Sequence, residues 1–217
     1  SADYIPEELI LPTFLGGSYA SYSSRTDTTV NKPTGTVEGA RIIFFMSIGK
    51  ANGINAVTPP DGFTILDEKS FIEGTYHVYL RAYTKIAGAS EPSTYTFTHG
   101  SQITEVVGTA YADATYATVA FGATHPPTST NAYAFGFIPP VADILQLVVL
   151  QSWDGGTLGT PSGMDLIHDG TVLGVWEDDI IVANTPVLAK VFANGNSGNG
   201  SWATLELILS SVSLSLA

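Results

Sequence analysis

Along much of the chain apolar and polar residues alternate with a period of two, the pattern of strands with one covered face. Over Tyr76–Ile86, the residues Tyr76, Val78, Leu80, Ala82 and Ile86 fall on one side, and His77, Tyr79, Arg81, Tyr83 and Lys85 on the other. Tyr95 and Phe97 alternate with Thr94, Thr96 and Thr98, and Trp202, Thr204, Glu206 and Ile208 with Ala203, Leu205, Leu207 and Leu209. Arg41–Ile48 is a near-continuous apolar run, as in a strand covered on both faces. Turn signals separate these runs: Asn52-Gly53, Pro60-Asp61-Gly62, His99-Gly100, Asp154-Gly155-Gly156, Asp169-Gly170, Asn194-Gly195 and Asn199-Gly200. Gly or Pro interrupts nearly every helix-sized window, leaving only Pro6–Ile10 suited to one helical turn. The pattern predicts an all-β protein, a jelly-roll-like β-sandwich.

The order of elements repeats. Ile42–Ile48 leads to Thr58-Pro59-Pro60-Asp61-Gly62-Phe63, and Ile144–Leu150 leads to Thr160-Pro161-Ser162-Gly163-Met164. That first correspondence has an offset of about 102 residues; Tyr76–Ile86 then corresponds to Leu173–Val182, Thr94–Thr98 to Leu188–Ala193, and Glu105–Ala112 to Trp202–Leu209, in the same order. A half with four or five strands leaves a sheet face bare, so two halves facing each other solve the burial problem, with two separate small sandwiches as the alternative. The expected organisation is an N-terminal arm over 1–40 and a sandwich over 41–217. Its two related halves, 41–113 and 141–217, are joined by 114–140.

Composition narrows the class. Only 13% of the 217 residues are charged, roughly half the usual share, while 44% are hydrophobic. That excludes disorder and charge-rich coiled coils. The apolar runs are strand-sized and fall short of the roughly 18 residues of a membrane-spanning helix. Net charge is −12, and seven of the eight Lys and Arg precede Glu105. Such a surface repels phosphate backbones and anionic lipid, so nucleic acid and membrane are poor partners. Without Cys there is no disulfide, thiolate zinc site or thiol nucleophile. The N-terminus lacks the basic flank and long apolar run of a signal peptide.

Pro33-Thr34-Gly35-Thr36-Val37-Glu38-Gly39, followed by a strand and Thr58-Pro59-Pro60-Asp61-Gly62-Phe63, resembles a module of tailed-phage and prophage virion proteins. Tyr83–Ala87 and Ala89–Thr98 continue the resemblance, which covers about 32–113. In that family the strand opens after Gly-Asp and the Pro-Pro segment ends in Gly-Trp; here the equivalents are Gly39-Ala40-Arg41 and Gly62-Phe63. The family's Ala-Tyr-Arg-Gly stretch is reduced to Ala110-Tyr111-Ala112. The resemblance implies a tail, fibre or surface-decoration component of a virion assembled in the host cytoplasm. It also implies a homo-oligomer, with a trimer usual for such appendages, surrounded by other virion proteins.

Candidate chemistry is sparse. Gly159-Thr160-Pro161-Ser162-Gly163 misplaces the serine of a nucleophile elbow, and no phosphate-binding glycine loop is present. His77, His99, His125 and His168 lack the spacing of a helix-borne metal site. No catalytic residue, metal or cofactor is assigned. Trp153-Asp154 and Trp176-Glu177-Asp178-Asp179 join an indole to acids, which suits sugar stacking with hydroxyl hydrogen bonding. Trp153, Asp154, Trp176, Asp178 and Asp179 are therefore candidate glycan-binding residues, although the same indoles suit a core beside solvated turns. The triplet Glu177-Asp178-Asp179 offers oxygen ligands for Ca²⁺ but equally a solvated acidic loop or edge guard. The face His77, Tyr79, Arg81, Tyr83 and Lys85 suits an exposed sheet or an acidic neighbour. Tyr4, Ile5, Leu9, Ile10, Leu11, Phe14 and Leu15 make the first 40 residues too apolar for a free tail, and are candidate contacts with another subunit or the particle. Two functions follow as expectations: a non-enzymatic virion component exposed as a decoration, fibre or tail appendage, and a carbohydrate-binding module for surface glycans.

Overall fold

The computed structural model describes residues 10–51, 53, 56–129, 131–134, 144–152, 159–180, 186, 189–193 and 200–211. Thirteen strands and no helix occur among them. In chain order they are β1 (Thr13–Asn31), β2 (Arg41–Ala51), β3 (Val57–Thr58), β4 (Thr64–Glu73), β5 (Tyr76–Ile86), β6 (Thr94–Ala112), β7 (Tyr116–Ser129), β8 (Asn131–Ala134), β9 (Ile144–Ser152), β10 (Asp165–Asp169), β11 (Leu173–Ile180), β12 (Lys190–Ala193) and β13 (Gly200–Ser210). The protein is all-β, two antiparallel sheets packed as a sandwich.

The first sheet runs β1-β6-β2-β5-β4, with β3 added to β6; the second runs β10-β11-β9-β13-β7, and β12 pairs with β8 separately. With β4 set against β10, β5 against β11, β2 against β9 and β6 against β13, as in the expected repeat, the two sheets have the same strand order; Thr94–Thr98, however, lies within β6, while β12 from its expected counterpart 188–193 pairs with β8 outside the second sheet. The two Pro-containing turns also match. Phe63 N–H donates to the Pro60 carbonyl at 3.2 Å and Met164 N–H to that of Pro161 at 3.3 Å. Gly62 (φ 83°) and Gly163 (φ 82°) supply the left-handed residue each turn needs.

Central strands are covered on both faces, which explains their unbroken apolar runs. In β2 every residue from Arg41 to Gly49 is buried. Ile43 and Phe45 enter the core between the sheets with Leu80, Val107, Leu147, Val149, Val175, Leu205 and Leu207. Ile42, Phe44, Met46 and Ile48 point the other way, into a second cluster with Phe63, Tyr83, Tyr95 and Phe97. The second sheet has a counterpart on its outer face: Val148, Leu150, Met164, Trp176, Phe192 and Trp202. Buried Arg41 secures the link from β6 to β7 by donating to the carbonyls of Ala114 (2.6 Å) and Thr115, and to Thr84 Oγ1 (3.0 Å).

Three placements differ from the sequence reading. Residues 13–31, expected within an arm, form β1, which pairs with β6 along its length. The expected joining segment 114–140 contains β7 and β8, and β7 pairs with β13 at the edge of the second sheet. Its Pro126 and Pro127 are compatible with an edge position, where a missing N–H breaks no ladder. His99-Gly100, expected as a turn, lies inside β6, where register shifts on β1 between Tyr22 and Asp27 absorb the irregularity. Of the one-turn helix expected at Pro6–Ile10, only Ile10 is among the described residues.

Two glycines separate rigid from yielding contacts. A Cβ at Gly108 of β6 would strike Ser18 Oγ (2.6 Å) and the ring of Phe44, which is fully buried in the second cluster. A Cβ at Gly122 of β7 would meet the flexible end of Lys69 and, at 3.0 Å, Cδ2 of the buried Leu205. Gly108→Ala is expected to lower unfolding free energy by about 1–3 kcal/mol, and Gly122→Ala to change it by about 0.5 kcal/mol or less. Urea unfolding of the two variants checks the contrast.

Candidate functional site

Two surface cavities and one buried ionic network concentrate the polar chemistry. The first cavity, about 380 Å³, lies where the edge strand β1 meets β10. Phe14, Gly17, Ser18 and Tyr19 line one side, and Ile167 and His168 the other. Behind it Glu105 of β6, 1% exposed, takes the Tyr19 hydroxyl on Oε1 at 2.7 Å. The same carboxylate accepts the backbone N–H groups of Thr171 (3.1 Å) and Val172 (2.8 Å) from the β10–β11 turn. His168 stacks on Tyr19 with ring centroids 4.3 Å apart, and its Nε2 lies 3.8 Å from Glu105 Oε1, beyond hydrogen-bond reach. His168 Nε2 and Ser18 Oγ are buried without a hydrogen-bond partner.

Carboxylate, imidazole and phenol meet here, with the carboxylate bonded to the β10–β11 turn. Burial favours the neutral form of Glu105, but His168, the Tyr19 hydroxyl and the Val172 N–H outweigh it and hold the carboxyl below its usual range. Burial first, and then the neighbouring carboxylate, push the Tyr19 phenol up. A general base for neutral pH needs the opposite shift. Glu105 instead ties the turn of one sheet to a central strand of the other.

The second cavity, about 370 Å³, lies on the outer face of the first sheet and is lined by Ala56, Val57, Pro59, Ile65, Glu68, Arg81 and Tyr83. Arg81 of β5 and Glu68 of β4 face each other across the antiparallel pair. The Arg81 Nε donates to Glu68 Oε2, and the guanidinium lies over the Tyr79 ring, 4.8 Å from its centroid. Its Nη1 is buried with no partner. Burial pushes the Tyr83 phenol up, against the lowering effect of the Arg81 charge.

The segments 58–63, 83–87 and 89–98 meet in the second apolar cluster through Phe63, Tyr83, Ala87, Tyr95 and Phe97. Phe63 lies 5.3 Å from Phe44 and 5.2 Å from Tyr95, ring centre to ring centre. Above them Glu91 accepts from Tyr95 Oη (2.7 Å), Gly88 N (2.7 Å) and Lys85 Nζ (2.9 Å). Burial opposes the charge on Glu91, but the bonds from Tyr95, Gly88 and Lys85 prevail and keep its carboxyl below its usual range. Burial and Glu91 push the Tyr95 phenol well up. Lys85 also lies over the rings of Phe63 and Tyr95. These residues fasten the 87–93 loop to the sheet.

The residues nominated from sequence separate. Trp153 and Asp154 lie outside the described residues. Trp176 is wholly buried, 4.8 Å from the Phe192 ring centre, and its Nε1–H donates to Thr160 Oγ1 at 3.1 Å. An indole with no exposed face offers no platform for a sugar. Asp178 pairs with Lys190 at 2.8 Å, and of Asp179 only the backbone, in β11, is described. Glu177 instead accepts from the buried Tyr111 hydroxyl at 3.1 Å, so neighbouring acids of the triplet serve different partners. Among the described residues no group of three or more His, Asp or Glu is placed to hold a metal. Tyr4, Ile5 and Leu9 lie outside the described residues. Ile10 is exposed and Leu11 half-buried, whereas Phe14 packs against Tyr111 and Leu15 against the second cluster of the chain itself.

The sequence reading missed Glu105 and the pairing of Arg81 with Glu68. A lone acid between Ile103 and Val106-Val107 was the available sign of the first. No protein-family model matches the chain, and neither a curated protein nor a solved structure matches it.

Proposed function

We propose that the chain is a non-enzymatic structural component of a tailed-phage particle, exposed as a surface decoration or as part of a fibre or tail appendage. The observation that carries this reading is the use to which the resembling segments are put. Phe63, Lys85, Glu91 and Tyr95 all serve to fasten a loop and an apolar cluster, which is the work of a scaffold. Exposed Ile72, Val37, Leu166 and Val191 give apolar surface for neighbours, in keeping with a homo-oligomer beside other virion proteins. Gold-labelled antibody imaging of particles from the source lysate tests the proposal. Label on heads or tails is the expected result; particles free of label overturn it. Light scattering on the purified chain is expected to give a mass at a multiple of the monomer.

A second reading, attachment to surface glycans, would place its site at the outer cavity lined by Ile65, Glu68, Arg81 and Tyr83. The two readings are compatible, since an exposed virion component can carry a lectin site.

A further inference from the structure

We infer that the outer edge of β1, over Ser18–Tyr22, is the surface on which two copies of this chain pair, antiparallel about a two-fold axis at Ala20, so that the first sheet runs on from one copy into the other. The inference rests on the homo-oligomer reading and names its interface. The two sheets end in β1 and β4, and in β10 and β7, and three of these four edges are guarded against pairing. β4 has a bulge and the charges of Asp67, Glu68 and Lys69. β7 has register shifts against β13, contains Pro126-Pro127, and has the end of Lys69 beside Gly122. β10 is five residues long, bulged, and begins and ends in Asp165 and Asp169. β1 is different: Thr13–Ser24 holds neither charge nor Pro, and among the described residues no strand lies on its outer side.

The register follows from the groups at the two ends of this stretch. Gly16–Tyr22 pairs with Ala110–Thr104 of β6 without interruption. Thr34 donates to the Gly17 carbonyl from outside the sheet, through its N–H at 3.3 Å and its Oγ1 at 3.1 Å. Gly17 therefore turns its backbone groups outward, and by alternation so do Tyr19 and Ser21. A two-fold at Ala20 sets Tyr19 opposite Ser21 of the second copy, and each such pair can exchange both N–H···O=C bonds. The same axis sets the capped Gly17 opposite Ser23. There the register shift after Tyr22, with Ser24 at φ 58°, carries β1 off the ladder and clear of the Thr34 loop. An axis at Ser18 would drive the second copy into that loop, and one at Tyr22 would place the bulge inside the ladder.

Charge identifies the occupant. Two chains of net charge −12 repel, so they can meet closely only where the contact itself is uncharged, as it is over Thr13–Ser24. The same stretch holds no acid to attract a basic peptide. A single axis closes such an isologous contact into a dimer. A ladder this short buries less than the roughly 1,200 Å² of a standard stable interface, so the dimer should be concentration-dependent. Salt, which screens the repulsion between the copies, should strengthen it.

Sedimentation equilibrium of the purified chain over a range of concentration and salt tests this, with a mass of twice the monomer expected at the upper end. Ser21→Pro removes an outward N–H and leaves the β6 ladder intact, so it is expected to weaken the dimer about tenfold or more with little change in Tm. The chain has no Cys, which allows a second test. Across the axis the two Ala20 residues form a non-hydrogen-bonded pair with Cα atoms about 4.5 Å apart, within disulfide reach. Ala20→Cys is expected to cross-link under oxidised glutathione, and Ile72→Cys, at a 60% exposed position on β4, is not. A parent dimer that folded Ser21→Pro leaves unchanged, a parent trimer, or Ala20→Cys cross-linking no better than Ile72→Cys overturns this interface alone. If Ser21→Pro does not fold, the cross-link decides. A parent that stays monomeric throughout overturns the homo-oligomer reading with it.

Discussion

Trp176→Ala is expected to lower unfolding free energy by about 3–5 kcal/mol, the range for removing a large aromatic from a packed interior. The indole has no exposed surface and packs with Val148, Leu150, Met164, Phe192 and Trp202. It lies so close over Gly174 that a Cβ there would enter the ring. Its loss opens a cavity and leaves Thr160 Oγ1, in the turn that leads to Met164, without the Nε1–H donor. In a chain of this size about 2–4 °C accompanies each kcal/mol, so Tm should fall by about 6–20 °C. Trp176→Phe keeps most of the apolar contact and should cost less than half as much. A surface sugar platform predicts the reverse, lost sugar affinity with unchanged Tm, and thermal melts alongside glycan titrations decide between them.

Trp176 illustrates what a local sequence pattern can and cannot convey. The run Trp176-Glu177-Asp178-Asp179 looks like the rim of a binding loop because three acids follow one ring. The run lies instead on β11, with β9 on one side and β10 on the other, and Trp176 faces the outer cluster. Alternation then sends Glu177 to the Tyr111 hydroxyl while Asp178 meets Lys190. Which acid accompanies the indole depends on strand pairing, which no four-residue window contains.

The central strands were legible for the same physical reason that they are central. Residues of β2, β5, β9 and β13 are covered on one or both faces, and burial enforces apolar runs or strict alternation. Edge strands escape that pressure. β1 is mostly exposed or half-buried and built from Ser, Thr, Gly and Tyr, so it reads as an arm; β7 contains Pro126-Pro127 and reads as a linker. The Glu105 network spans 86 residues to Tyr19 and depends on β1, so it was hidden with that strand. The Arg81–Glu68 pair was within reach. A turn at Gly74-Thr75 sets Glu73 opposite Tyr76, and the antiparallel ladder, with one bulge further along, then brings Glu68 opposite Arg81.

The network at Glu105 leads to the second large effect, and it is pH-dependent. Glu105→Ala strands the N–H groups of Thr171 and Val172 and the Tyr19 hydroxyl, an expected cost of about 3–5 kcal/mol for breaking a buried charged network. Glu105→Gln preserves shape and one acceptor but turns an amide N–H toward donors, and should cost roughly half of that. The sign of the pH effect follows from the lowered carboxyl. A group whose folded-state pKa lies below its unfolded value binds fewer protons when folded, so its contribution is complete above the unfolded value of about 4.3 and is lost as pH falls through the folded one. Tm of the parent protein should therefore drop steeply below about pH 4.5, and that of Glu105→Gln less steeply. Glu91, lowered by Tyr95, Gly88 and Lys85, acts in the same window with the same sign, so some slope persists in the single variant and Glu105→Gln/Glu91→Gln should be flatter still. Parallel Tm–pH curves for parent and Glu105→Gln would show that the carboxylate does not tie the sheets. Amide exchange gives the local counterpart: Thr171 and Val172 should lose protection in Glu105→Gln at pH 7, where the parent keeps both N–H groups bonded.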